Sequence, residues 1–103
     1  MTSVYQATYR SSDSSLYVDF DFCQMGDGGY RIYILSDINY CGRSESSPDT
    51  HRIITSPYSY ICWDGKISSL KQAKAVAALW ADTTALYIKG YTDFDTIARI
   101  LSA

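Results

Sequence analysis

Between Leu16 and Phe22 the chain alternates strictly, with Leu16, Val18, Phe20 and Phe22 separated by Tyr17, Asp19 and Asp21. Period two marks a strand with one buried face, because successive side chains leave the pleat on opposite sides. The run Gln24-Met25-Gly26-Asp27-Gly28-Gly29 follows, rich in residues that tolerate positive φ. Alternation then resumes, Tyr30, Ile32 and Ile34 against Arg31, Tyr33 and Leu35. A hairpin with Phe22 facing Tyr30 sets Phe20 beside Ile32 and Val18 beside Ile34 on one side. On the other side it sets Asp21 opposite Arg31 and Asp19 opposite Tyr33. A one-residue slip would bury the aspartates, so the pattern restricts the register.

Around this hairpin the pattern predicts weaker strands. One spans about Val4 to Tyr9 and is separated from the hairpin by the loop Ser11-Ser12-Asp13-Ser14-Ser15. His51 to Thr55 and Tyr58 to Trp63 read as a strand pair turned at Ser56-Pro57. Which face of that pair is buried stays open, because Ile53, Tyr60 and Cys62 compete with Ile54, Ile61 and Trp63. The polar stretch 36–49 exceeds the usual connection of about four to six residues and is therefore either disordered or used.

The last third changes period. Ser69 to Gln72 has the form of a capping box. Leu70, Ala73, Ala77, Trp80, Thr84 and Tyr87 then recur at spacings of three and four, with Val76 and Leu79 widening the stripe. Lys89 suits the negative end of a helix and Gly90 its C-terminal cap. Thr92 and Asp95 mark a second start, with Phe94, Ile97, Ala98 and Leu101 as its apolar side. The expectation for residues 1–103 is a single α+β domain. An antiparallel β-sheet of about four or five strands is followed by one long and one short C-terminal α-helix packed on one face.

Composition adds one unusual feature: 10 of the 103 residues are tyrosine. Tyrosine offers a stiff, amphipathic surface and favours strands and contact surfaces. The plain alternative is that the tyrosines line a half-exposed sheet. Net charge is −2, with nine basic residues spread among eleven acidic ones. That distribution supplies no positive face for nonspecific nucleic-acid binding, and its acidity is too mild for a nucleic-acid mimic. No apolar run approaches the length of a membrane span, and the first residues lack the character of a signal peptide. Cys23, Cys41 and Cys62 are odd in number and form no CxxC pair, which points to free thiols in a reducing cytoplasm.

No catalytic, metal or nucleotide motif stands out, and no cofactor is expected. His51 falls near Cys62 in the second strand pair, the arrangement a thiolate nucleophile needs, yet Cys62 between Ile61 and Trp63 reads more simply as a small core residue. The three cysteines and His51 are too scattered for a zinc site, whose ligands come in close pairs. The glycine-rich run precedes a strand, so it reads as a hairpin turn and not as a phosphate loop. Two surfaces remain as binding candidates. Tyr17, Asp19, Asp21, Arg31 and Tyr33 share one sheet face, whose plain reading is a solvated surface with a cross-strand ion pair. Tyr40, Arg43 and Arg52 lie in or just after the long loop, and arginine with tyrosine is the composition of interaction hot spots.

The leading expectation is a non-enzymatic protein that engages another protein, with inhibition of its target as one form that engagement can take. In general character the chain is similar to small accessory proteins of phages and mobile elements, anti-CRISPR and other anti-defence inhibitors among them. The similarity is one of kind and covers no particular residues. A second reading is a domain that sequesters a nucleotide or other anion, gripped by Arg43 and Arg52. A third, less favoured, is a cysteine enzyme using Cys62 and His51. A homo-oligomer is compatible with all three.

Overall fold

The computed structural model describes residues 1–103. Five strands form one sheet: β1 (Thr2–Arg10), β2 (Tyr17–Gln24), β3 (Tyr30–Ile34), β4 (Arg52–Ile53) and β5 (Ser59–Ile61). Their order is β1-β2-β3-β5-β4, and every neighbouring pair is antiparallel. Between β3 and β4 lies a short helix, α1 (Ser47–Thr50), and the chain ends with α2 (Leu70–Ile88) and α3 (Phe94–Leu101). The α+β architecture expected from the periodicities is the one observed. No helix is long and apolar enough to cross a membrane.

The alternation in β2 and β3 assigns the faces as expected: Val18, Phe20, Phe22, Ile32 and Ile34 are buried together. The register differs. Phe22 pairs with Ile32 and Phe20 with Ile34, while Tyr30 faces Gln24 and Arg31 faces Cys23. Asp21 therefore lies opposite Tyr33 instead of Arg31. The cause is the turn, which is tighter than Gln24–Gly29. Met25 donates to the Gly29 carbonyl and Gly28 to that of Met25, and Gly28 takes the left-handed conformation this closure needs. A shift of two residues keeps every side chain on its own face, so hydrophobic alternation does not oppose it.

The inward face of the second strand pair is now settled. Ile61 is buried in the core, whereas Ile54 and Trp63 are exposed and Ile53 and Tyr60 half-buried. β4 and β5 are shorter than the runs from which they were read, pairing only Arg52 with Ile61 and Ile53 with Tyr60.

Helix α2 starts at the expected box. The Ser69 hydroxyl accepts from the Gln72 amide, and the Gln72 side chain reaches back to the amide of Ser68, one residue beyond the cap. α2 lays Ala73, Val76, Ala77, Trp80 and Ala81 on the sheet. The alanines permit a close approach, and Trp80 fills the space left beside them, edge-on to Phe20 at 6.1 Å. Past Gly90, which has the positive φ of a helix stop, α3 begins one residue away from the expected start. Its cap is Asp93, accepting from Thr96. α3 packs on α2 through Phe94 and Ile97.

Stretch 36–49 is ordered by long-range contacts. Tyr40, 1% exposed, enters the core and meets Tyr87 edge-on at 6.1 Å. The Trp80 indole N–H donates to the Thr50 carbonyl at 3.1 Å, and the Tyr87 hydroxyl to that of Ser44 at 2.8 Å.

Two substitutions in α2 separate packing from polarity. Trp80→Ala is expected to cost about 3–5 kcal/mol through the cavity it leaves. Thr84→Val removes a buried hydroxyl that has no hydrogen-bond partner and is expected to be neutral or stabilising by up to about 1 kcal/mol. Equilibrium urea unfolding of both variants measures the contrast.

The buried Tyr40 hydroxyl is likewise unpartnered, and burial pushes its pKa up to about 12. The unfolded phenol ionises near pH 10, so the folded state retains its proton longer and stability falls as pH rises from about 10 towards 12. Tyr40→Phe is expected to remove that component of the alkaline transition, read by circular dichroism across the same range.

Candidate functional site

Helices α2 and α3 lie on one side of the sheet, and no helix covers the other. Odd-numbered positions of β2 and β3 point there: Tyr17, Asp19 and Asp21 from the first, Arg31 and Tyr33 from the second. Tyr60 joins them from β5, directly opposite Tyr33. All five sheet residues singled out from the alternation thus share one face, with Tyr60 as a neighbour the sequence did not single out.

The geometry is ordered by β1 on one flank and by ring contacts on the other. The hydroxyls of Ser3 and Thr8 donate to the carboxylates of Asp21 and Asp19 respectively. Neither aspartate forms an ion pair with Arg31. The guanidinium instead sits over the Tyr60 ring at 4.1 Å from its centroid and donates to the Tyr33 hydroxyl at 3.2 Å. The hydrogen bond to Tyr33 raises the already high pKa of Arg31, overcoming the opposing effect of desolvation. Tyr33 and Tyr60 meet edge-on at 5.7 Å. An arginine held by two tyrosines is stiff, and no carboxylate forms an ion pair with it. At the far end, Thr55–Tyr58 overhangs the sheet and encloses, with Met1, Tyr33 and Leu35, a concavity of about 340 Å³.

Cys23 lies on this same face, opposite Arg31 and on the wall of that concavity, and is covered there; its thiol is pushed up first by burial and then by the neighbouring Asp21 carboxylate. A thiol held in its protonated form is a poor nucleophile.

The loop residues have different surroundings. Arg43 stacks on Tyr87 at 4.1 Å and donates to the carbonyls of Tyr87 and Thr92 at 2.7 and 2.8 Å. It thereby satisfies the carbonyl end of α2, where a cation is favoured. Arg52 donates from Nε to the Thr50 hydroxyl and from its terminal nitrogen to the Glu45 carbonyl, beside the Tyr40 ring. With Tyr40 in the core, these three residues hold the loop against the domain. Tyr40, Arg43 and Arg52 are not brought together with the sheet-face residues.

The Cys62 amide donates to the His51 carbonyl at 2.9 Å, and both residues line one small concavity with Trp63 and Phe94. The imidazole stacks on Phe94 at 4.6 Å and meets Asp95 at 2.8 Å. His51 itself has a left-handed backbone, which aims its side chain towards α3. No group of three or more His, Cys, Asp or Glu side chains is close enough to hold a metal ion.

Cys41 and Cys62 are exposed whereas Cys23 is not. Iodoacetamide under native conditions is expected to modify the first two and to reach Cys23 only on unfolding, as read by intact and peptide mass spectrometry. Comparison with protein-family models, curated proteins and solved structures finds nothing that matches this chain.

Proposed function

We propose that this chain is a small non-enzymatic binding protein that engages, and by occupying its surface inhibits, another protein in the cytoplasm. The observation that carries this reading is the uncovered sheet face, where Arg31 is held between Tyr33 and Tyr60 beside Asp19, Asp21 and Tyr17. Interfaces draw most of their energy from a few tyrosine, tryptophan and arginine side chains, and rigid groups lose less conformational freedom on binding. Regular strands hold this face, so its shape is set before any partner arrives. The mixture of carboxylates and one guanidinium favours a partner surface of complementary charge and disfavours like-charged ones. Kinship of kind with phage and mobile-element inhibitors accords with this reading without adding a residue to it.

The test is capture of a partner from a lysate of the native host by the tagged protein. One protein retained in stoichiometric amount is expected. The double variant Arg31→Ala, Tyr33→Ala is expected to weaken its capture by roughly 30-fold or more, the size of a hot-spot truncation. Arg99→Ala, on α3, serves as the control and is expected to retain the partner. Undiminished capture by the double variant would show that the contact lies elsewhere.

A further inference from the structure

Beside the Arg31–Tyr60 contact lies a concavity of about 420 Å³ that the sheet-face argument does not use. It exists because β3 and β5 pair only at Tyr33–Tyr60 and Ile34–Ser59. At the start of β3 the chain finds a different partner, the Tyr30 amide donating to the Ile67 carbonyl at 2.9 Å. Between those two points of attachment the 62–66 segment stands away from β3 and leaves the opening.

Its walls carry two cations in defined positions. Lys66 donates from Nζ to the Asp27 carbonyl at 2.7 Å. Its aliphatic stem lies in a notch at Gly29, where an added Cβ would come within 3.1 Å of Lys66 Cγ and 3.3 Å of its Cε. Gly29 is buried, so the missing side chain there serves the close passage of the lysine. Arg31 is fixed by Tyr60 and Tyr33 as described above. Neither cation belongs to an ion pair, since the two pairs in the molecule are His51–Asp95 and Lys89–Asp13. The one acidic side chain on the wall is Asp27, and its carboxylate accepts from the Gly29 amide at 2.8 Å. Trp63, 43% exposed, and Tyr30 add ring surface.

Fixed cations without counter-ions beside open aromatic faces match one class of ligand. We propose that this concavity binds a small anion carried on a flat ring, its phosphate or carboxylate taken by Arg31 and Lys66 and its ring laid against Trp63. Arginine offers paired donors to either oxyanion, and lysine adds a point charge. The volume falls within the range of about 300–1,000 Å³ typical of small-molecule sites. The site differs from the loop arginines Arg43 and Arg52, whose donors are engaged with the protein's own groups.

Titration with adenosine monophosphate, 4-hydroxybenzoate, adenosine, phenol and inorganic phosphate, followed by tryptophan fluorescence, tests the proposal. A saturable change is expected with adenosine monophosphate or 4-hydroxybenzoate and not with the uncharged adenosine or phenol. The charged probe that responds identifies the oxyanion. Trp63→Phe is expected to abolish the signal, and Lys66→Gln and Arg31→Gln each to weaken binding about tenfold or more. No saturation with either charged ring compound up to ~10 mM would overturn the proposal, as would a titration unaltered in Lys66→Gln. Inorganic phosphate binding as tightly as adenosine monophosphate would remove the ring from it. Lys66→Gln and Trp63→Phe are expected to leave partner capture intact, whereas a change at Arg31, common to both surfaces, is expected to weaken both, so failure of the concavity and failure of the sheet face are distinguishable.

Discussion

Trp80 joins the three parts of the molecule that have no covalent reason to be near one another. Its ring meets Phe20 of the sheet, its backbone belongs to α2, and its indole N–H holds the carbonyl of Thr50 at the end of the long connection. The indole is 3% exposed, so that hydrogen bond exchanges no partner with water and a lost carbonyl contact would be costly. Docking at this point brings Tyr87 and Phe94 against Tyr40 and His51. The uncovered sheet face follows indirectly: α2 and α3 are both committed to the Trp80 side.

Much of the architecture could be read from the chain because hydrophobic period is a local property. Alternation at 16–22 and 30–35 assigned the side chains of Tyr17 to Phe22 and of β3 to their correct faces, and the three-and-four spacing from Leu70 to Tyr87 outlined α2 nearly to its ends. Register was less legible. A two-residue slide conserves faces, and only the hydrogen bonds inside Met25–Gly29 distinguish one pairing from the other. Loop arginines were legible as residue types but not as contacts. Nothing within a few residues of Arg43 indicates that its partners are Tyr87 and Thr92, more than forty positions away. Lys66 was passed over for the same reason, since its significance comes from Gly29 and Arg31 across the sheet.

The tyrosines show how an unusual composition divides among roles. Of the ten, Tyr40 and Tyr87 are buried and Tyr9 links β1 to Asp82 of α2, while Tyr33 and Tyr60 bracket Arg31 on the open face. A tyrosine in the core brings an unsatisfied hydroxyl unless a carbonyl is at hand, as Ser44 is for Tyr87. On the open face the hydroxyl is an asset, since it accepts from the guanidinium and orients it. The same side chain is therefore structural or available for contact according to which side of the sheet it leaves.

The sheet is also lopsided along its width. One border is β1, nine residues long and carrying a single charged side chain, Arg10; the other is β4, two residues long. Border strands are commonly blunted by proline, lysine or brevity, and β1 has none of these, only a bulge at Val4. Strand addition is thus one-sided. Two copies meeting border to border through β1 would consume both long borders at once and leave only short ones outward, giving a closed pair with no template for further growth. Open-ended stacking would require the two-residue border to act as a docking rail, which it is too short to do.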